Sequence, residues 1–170
     1  MENLQKFYPI QTGENNPILR KVSVEIKNID DDIKEFGEEL IELMQLYDGA
    51  GLAAPQVGRN IRMIATTQWK ETKNSIKLLS KILMINPKII EKSKDIVVSE
   101  EACLSIPNFK GKVKRYKYIV VEYLDLDGKL KKKKLKDLDA FIVQHEYDHL
   151  DGVLFIDKII KNSGKSNVKS

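Results

Sequence analysis

Cysteine is almost absent from this chain. Of 170 residues only Cys103 carries a thiol, so no intramolecular disulfide framework can form and no oxidising compartment is implied. Histidine is nearly as scarce, with His145 and His149 alone, which leaves three side chains as the usual nitrogen and sulfur ligands of a metal. No apolar run approaches the roughly 20 residues that a membrane-spanning helix requires. The opening stretch Met1–Lys6 has no apolar region of the signal-peptide kind, and its acidic second residue does not suit an organellar leader. A cytoplasmic setting without membrane attachment is therefore expected. No internal repeat and no linker breaks the chain, so one domain over residues 1–170 is expected, ending in a flexible polar tail from about 163.

What is present is the balance of a chain that buries a core: 42% hydrophobic and 32% charged residues, at a length that needs no staples. The net charge of +4 is largely local, in Lys131–Lys134 and in the tail from Lys158 to Lys169. Runs of this kind are mostly solvated faces. The other reading is transient contact of the basic tail with an acidic surface such as ribosomal RNA. No specific nucleic-acid motif accompanies the charge.

Pro9 and Pro17 act as breakers in an irregular opening. From Ile29 to Asp32 three aspartates suit a helix start, and Ile33, Phe36, Leu40, Leu43, Met44 and Tyr47 follow at three- and four-residue spacing. This predicts a long amphipathic N-terminal helix, ended by the glycines after Asp48. Strands are expected at Arg62–Thr66, Leu83–Ile85, Asp95–Val98 and Tyr118–Leu124, with an Asp127-Gly128 turn returning into Leu130–Leu135. The polar segment Gln68–Leu79 reads as a loop. A second helix from about Asp137 places Leu138, Phe141, Ile142, His145 and His149 on one side. The fold class is α+β, with antiparallel sheets packed around the C-terminal helix.

That second helix carries His145-Glu146-Tyr147-Asp148-His149, an HExxH pattern. Residues four apart lie one above the other on a helix, so both imidazoles can reach one ion with Glu146 beside it. Cys103 lies in a different segment and offers the third soft ligand. Three protein ligands leave a position for water, which is the catalytic arrangement; a structural zinc site closes with four.

Three segments, in order, resemble the signature motifs of peptide deformylases: Gly49-Ala50-Gly51-Leu52-Ala53-Ala54-Pro55-Gln56, then Glu101-Ala102-Cys103-Leu104-Ser105, then Gln144-His145-Glu146-Tyr147-Asp148-His149. The flanks Ile106-Pro107 and Leu150–Phe155 agree too, and the resemblance extends from about Pro17 to Ile159. It implies an α+β fold and a divalent metal held by Cys103, His145 and His149, natively Fe2+ in many members, with Zn2+, Ni2+ or Co2+ as possible substitutes. It also implies hydrolysis of the N-formyl group of nascent N-formylmethionyl peptides. Glu146 would be the acid/base group, with Gln56 and the Leu104 N–H stabilising the oxyanion.

For the peptide, the resemblance points to Gly51 with Ala50 and Glu101. By position, Leu138, Phe141 and Ile142 are expected as one wall of a methionine pocket, with the main core as the other reading for Leu138 and Ile142, and Lys110 is placed along the cleft rim. One departure stands out: Ala102 replaces the family's glycine, which matters only if that backbone needs a glycine conformation. The alternatives are a catalytically silent peptide- or metal-binding relative and a zinc endopeptidase, which also uses HExxH.

Overall fold

The computed structural model describes residues 8–161. The expected flexible tail lies outside them. The elements run as helix α1 (Pro17–Arg20), α2 (Asp31–Leu46), strands β1 (Gly51–Ala53), β2 (Met63–Thr72), β3 (Ser75–Lys92), β4 (Ile96–Cys103), β5 (Ile106–Tyr116), β6 (Tyr118–Leu124) and β7 (Leu130–Lys136), then α3 (Asp137–Leu150).

Asp30 caps α2, its Oδ1 accepting from the Ile33 N–H at 3.0 Å, while Asp31 and Asp32 sit at the positive end of the helix dipole. Ile33, Phe36, Leu40 and Met44 are all buried, the stripe that the spacing predicts. At the far end Asp48, not a glycine, takes the left-handed turn at φ 53°. A short polar side chain tolerates that conformation, and the Gly49 N–H then returns to the Met44 carbonyl at 2.9 Å. The opening is also more regular than expected: Pro17 starts the single turn of α1, which Asn16 caps.

Five strands form an antiparallel sheet in the order β1-β2-β3-β6-β7, and β4 and β5 form a separate antiparallel pair. Side chains alternate across a strand, and both faces of the five-stranded sheet are covered. Met63, Ala65, Leu83 and Ile85 join Phe36, Leu40 and Met44 of α2 in one core cluster. Ile64 and Met84 join Ile119, Val121 and Leu135, packed with Ala140, Val143 and Leu150 of α3, in the other. Burial on both sides is why Met63–Ala65 and Leu83–Ile85 are apolar without alternation.

The segment Gln68–Leu79 is not a loop. It forms most of a hairpin in which β2 and β3 stay paired as far as Thr72 and Ser75. Its side chains from Thr72 to Ser80 are exposed, so no face is buried and no period-2 pattern reaches the sequence. Trp69 ties its base to α3, donating its backbone N–H to Asp139 Oδ1 at 2.9 Å. The lysines of β7 face solvent except Lys133, which is half-buried and donates to Gln68 Oε1. Among the described residues no helix is long and apolar enough to cross a membrane.

Candidate active site

Two elements deliver the soft donors. β4 ends on Cys103, and α3 presents His145 and His149 one turn apart. The three donor atoms lie within 4.8 Å of one another, and Cys103 Sγ is 3.3 Å from His149 Nε2. Glu101 Oε2 lies 2.8 Å from His145 Nδ1, which leaves the other ring nitrogen as the donor. His149 Nδ1 is buried with no hydrogen-bond partner among the described residues. Burial, then the charges of His145 and Arg115, hold His149 well below the usual histidine range, so its ring stays neutral with a lone pair to offer. Burial also opposes charge on His145, but Cys103 and Glu101 beside it override this and push it up to about 10. One thiol and two imidazoles converging on one point, with the His149 ring neutral, fit a borderline-soft divalent cation.

Glu146 stands beside this trio, 4% exposed, and its Oε2 has no hydrogen-bond partner among the described residues. Burial pushes its carboxyl up to about 7; His145 and Arg115 pull it down, while Glu101 and Asp148 add to the rise. Its side chain fills the space in front of Gly51, where a Cβ would meet Glu146 Oε1 at 2.6 Å. A side chain at position 51 would have to push the Glu146 carboxylate aside.

Gln56 sits in a 3-10 turn (Ala54–Val57) and is 1% exposed. Its Oε1 accepts from the Ala53 N–H at 2.9 Å, which fixes the amide so that Nε2 donates to Ser105 Oγ at 3.1 Å and approaches Cys103 Sγ at 3.6 Å. The donor end of the amide therefore faces the thiol.

A cleft of about 470 Å³ opens over these groups. Ala50, Gly51, Gln56, Glu101, Cys103, Leu104, His145 and Glu146 line it, and Leu138, Phe141 and Ile142 add an apolar wall, so the structure brings together the residues expected at the site; His149 lies behind. Ala102 also lines the cleft, and its φ is not in the left-handed region, so its methyl meets no backbone demand for glycine. Lys110 departs from expectation: it is exposed, pairs with Ala102 across the β4–β5 ladder, and does not line the cleft. Glu101 lines the cleft, while Arg115 and His145 engage both of its carboxylate oxygens.

Sequence reasoning missed Arg115, Ser105 and the role of Asp148. Arg115 donates to Glu101 from Nε and Nη2, each at 2.8 Å, and to Asp148 Oδ2 from Nη1 at 2.6 Å. Burial raises the carboxyl of Glu101, but the hydrogen bonds from Arg115 and His145 outweigh it and hold the group at about 2. Burial likewise opposes the charge on Arg115, and Glu101 and Asp148 more than offset it. The signal available in sequence was a lone arginine among the lysines of β5, which marks a bidentate pairing only once its partners are known.

A family model described as polypeptide deformylase matches residues 8–165. A peptide deformylase from Finegoldia magna is 44% identical over 150 residues, covering 88% of each chain. One from Dictyoglomus thermophilum is 40% identical over 154 residues, 91% of this chain and 94% of that one. Among solved structures, peptide deformylase from Thermotoga maritima superposes with a TM-score of 0.79 at 37% identity, over 91% of this chain and 98% of that one. A Met-Ala-Ser-bound class I type b peptide deformylase from Acinetobacter baumannii gives 0.81 at 29% identity, over 89% and 97%. With nearly its whole length matched by model, relatives and fold alike, this chain belongs to the polypeptide deformylase family.

Proposed function

We propose that this cleft hydrolyses the N-terminal formyl amide of newly made polypeptides, releasing formate, the activity for which the family is known. The observation that carries the reading is the convergence of Cys103, His145 and His149 beside Glu146 under a cleft with an apolar wall. Those three side chains would hold one divalent cation, Fe2+ in the native protein, with Zn2+, Ni2+ or Co2+ able to replace it on the same donors. Bound there, the cation supplies Lewis acidity, polarising a carbonyl and bringing a water's proton within reach of a base near neutral pH.

The chain's own groups do the rest. Glu146, whose burial holds its carboxyl near neutrality, takes the proton of the attacking water and passes it to the departing nitrogen. Gln56, fixed through its own oxygen, donates from Nε2 to the oxyanion together with the Leu104 N–H. The peptide lies extended against the backbone of Ala50 and Gly51, and Leu138, Phe141 and Ile142 receive the methionine side chain. An Acinetobacter baumannii neighbour was solved with Met-Ala-Ser bound, a peptide of the kind this reaction would release. Residues 1–170 act as one catalytic unit in the cytoplasm, with the basic tail giving transient contact near the ribosome.

Formate release from formyl-Met-Ala-Ser, followed beside cleavage of unblocked peptides, tests the reading. Formate release with unblocked peptides left intact is expected. Peptide-bond cleavage without formate would make the site a zinc endopeptidase, and tight peptide or metal binding without turnover would make it a silent relative.

A further inference from the structure

The donors of the proposed cation come from elements that share no strand ladder: Cys103 from β4, and His145 and His149 from α3. Something other than the cation must fix one against the other, or the thiolate and the imidazoles would converge only when a cation drew them in. Arg115 of β5 is placed to do so. It is 3% exposed, and each of its three guanidinium nitrogens is engaged. Two donate to Glu101, which precedes Cys103 by two residues on β4; the third donates to Asp148, the residue before His149 on α3. Glu101 then carries the contact on to His145 Nδ1. Asp148 is held from its other side by Lys158 Nζ, 2.7 Å from Oδ1.

Resting on the proposed cation site, we propose that Arg115 is a positioning residue: it sets β4 against α3 so that Cys103, His145 and His149 converge before a cation arrives. Only a planar fork with donors on several edges bridges two carboxylates this way; a lysine offers one point charge. The charge also matters, because Glu101, Asp148 and Glu146 are three carboxyl groups on or beside one helix, and the buried guanidinium of Arg115 lies between the first two. The assignment gives a role to the aspartate of the HExDH segment, which neither the soft donor set nor the acid/base chemistry uses.

The test is cobalt(II) affinity by chelator competition, with the thiolate-to-cobalt absorption band as a second readout and circular dichroism as the fold check. Arg115→Lys and Asp148→Asn are compared with the wild type, and Lys114→Ala, an exposed neighbour, is the control. Both variants are expected to bind cobalt(II) on the order of 10- to 100-fold more weakly, with a shifted band, the scale of lost outer-sphere support. Lys114→Ala should stay within about twofold of wild type, its change lying outside that support. A folded Arg115→Lys or Asp148→Asn protein with wild-type affinity and an unchanged band would overturn the proposal, leaving Arg115 a brace for stability alone. If Arg115→Lys does not fold, Asp148→Asn decides on the same criterion. Wild-type protein that bound no cobalt(II) would overturn the cation site itself, a result distinct from a failure of the variants.

Discussion

Gly51→Ala is a one-methyl change whose consequence can be worked from distances. A Cβ at that position falls 2.6 Å from Glu146 Oε1, 2.7 Å from Cγ and 2.8 Å from Cδ. Comfortable contacts of carbon lie at about 3.5–4.0 Å, so the carboxylate must withdraw by roughly 1 Å. Glu146 is only 4% exposed, and the space open to it is the cleft itself, so any withdrawal displaces the carboxylate within the site. Overpacking of this kind costs about 1–3 kcal/mol of stability. A displacement of about 1 Å in a reacting group costs on the order of 100-fold in rate, or about 2.7 kcal/mol of barrier. Alanine keeps the backbone N–H and C=O, so the loss should fall on kcat more than on KM.

Urea denaturation and formate release would measure the two effects. A double-mutant cycle isolates their origin, because Glu146→Ala removes all three atoms that the new methyl meets. In that background Gly51→Ala should destabilise by less than about 0.5 kcal/mol, the range of uncoupled sites. Equal destabilisation in both backgrounds, or a normal kcat for Gly51→Ala alone, would refute the reasoning.

Ser105 is fully buried, and its Oγ accepts from Gln56 Nε2; Ser105→Ala should lower stability by about 1–3 kcal/mol by leaving that donor unpaired. It should also lower kcat with little change in KM, which steady-state formate assays would resolve. Asp157 is held below the usual carboxylate range, chiefly by its hydrogen bonds with Arg20, against opposing burial. A depressed folded-state pKa gives stability that is present above the unfolded value and lost as pH falls through the folded one. Asp157→Asn should therefore melt below wild type at neutral pH, and the gap should close in acid; a gap independent of pH would rule out the linkage.

Much of the site could be read because its residues are local. His145, Glu146 and His149 share one helical face, and a period of 3.6 fixes their neighbourhood before any tertiary contact is known. Cys103 was singled out by scarcity, being the one thiol in the chain. What escaped depends on contacts far apart in sequence. Arg115 lies 14 residues from Glu101 and 33 from Asp148, and nothing local marks it among its lysine neighbours. Glu101 lines the cleft as its motif suggested, but the pairing of its carboxylate with Arg115 and His145 was not legible. The fold shows the same division. The capped stripe of α2 declared itself, whereas the hairpin of β2 and β3 has solvent on its exposed faces and so leaves no alternation to detect.

In the proposed chemistry one cation on Cys103, His145 and His149 works with Glu146 as the acid/base group. The most direct measurement is metal content and formate release on the same sample of Glu146→Ala, purified without oxygen beside the wild type. One cation per chain is expected in both proteins, with turnover lower by about 100-fold or more in the variant, the scale of a lost acid/base group. Near-normal turnover with the cation retained would contradict it.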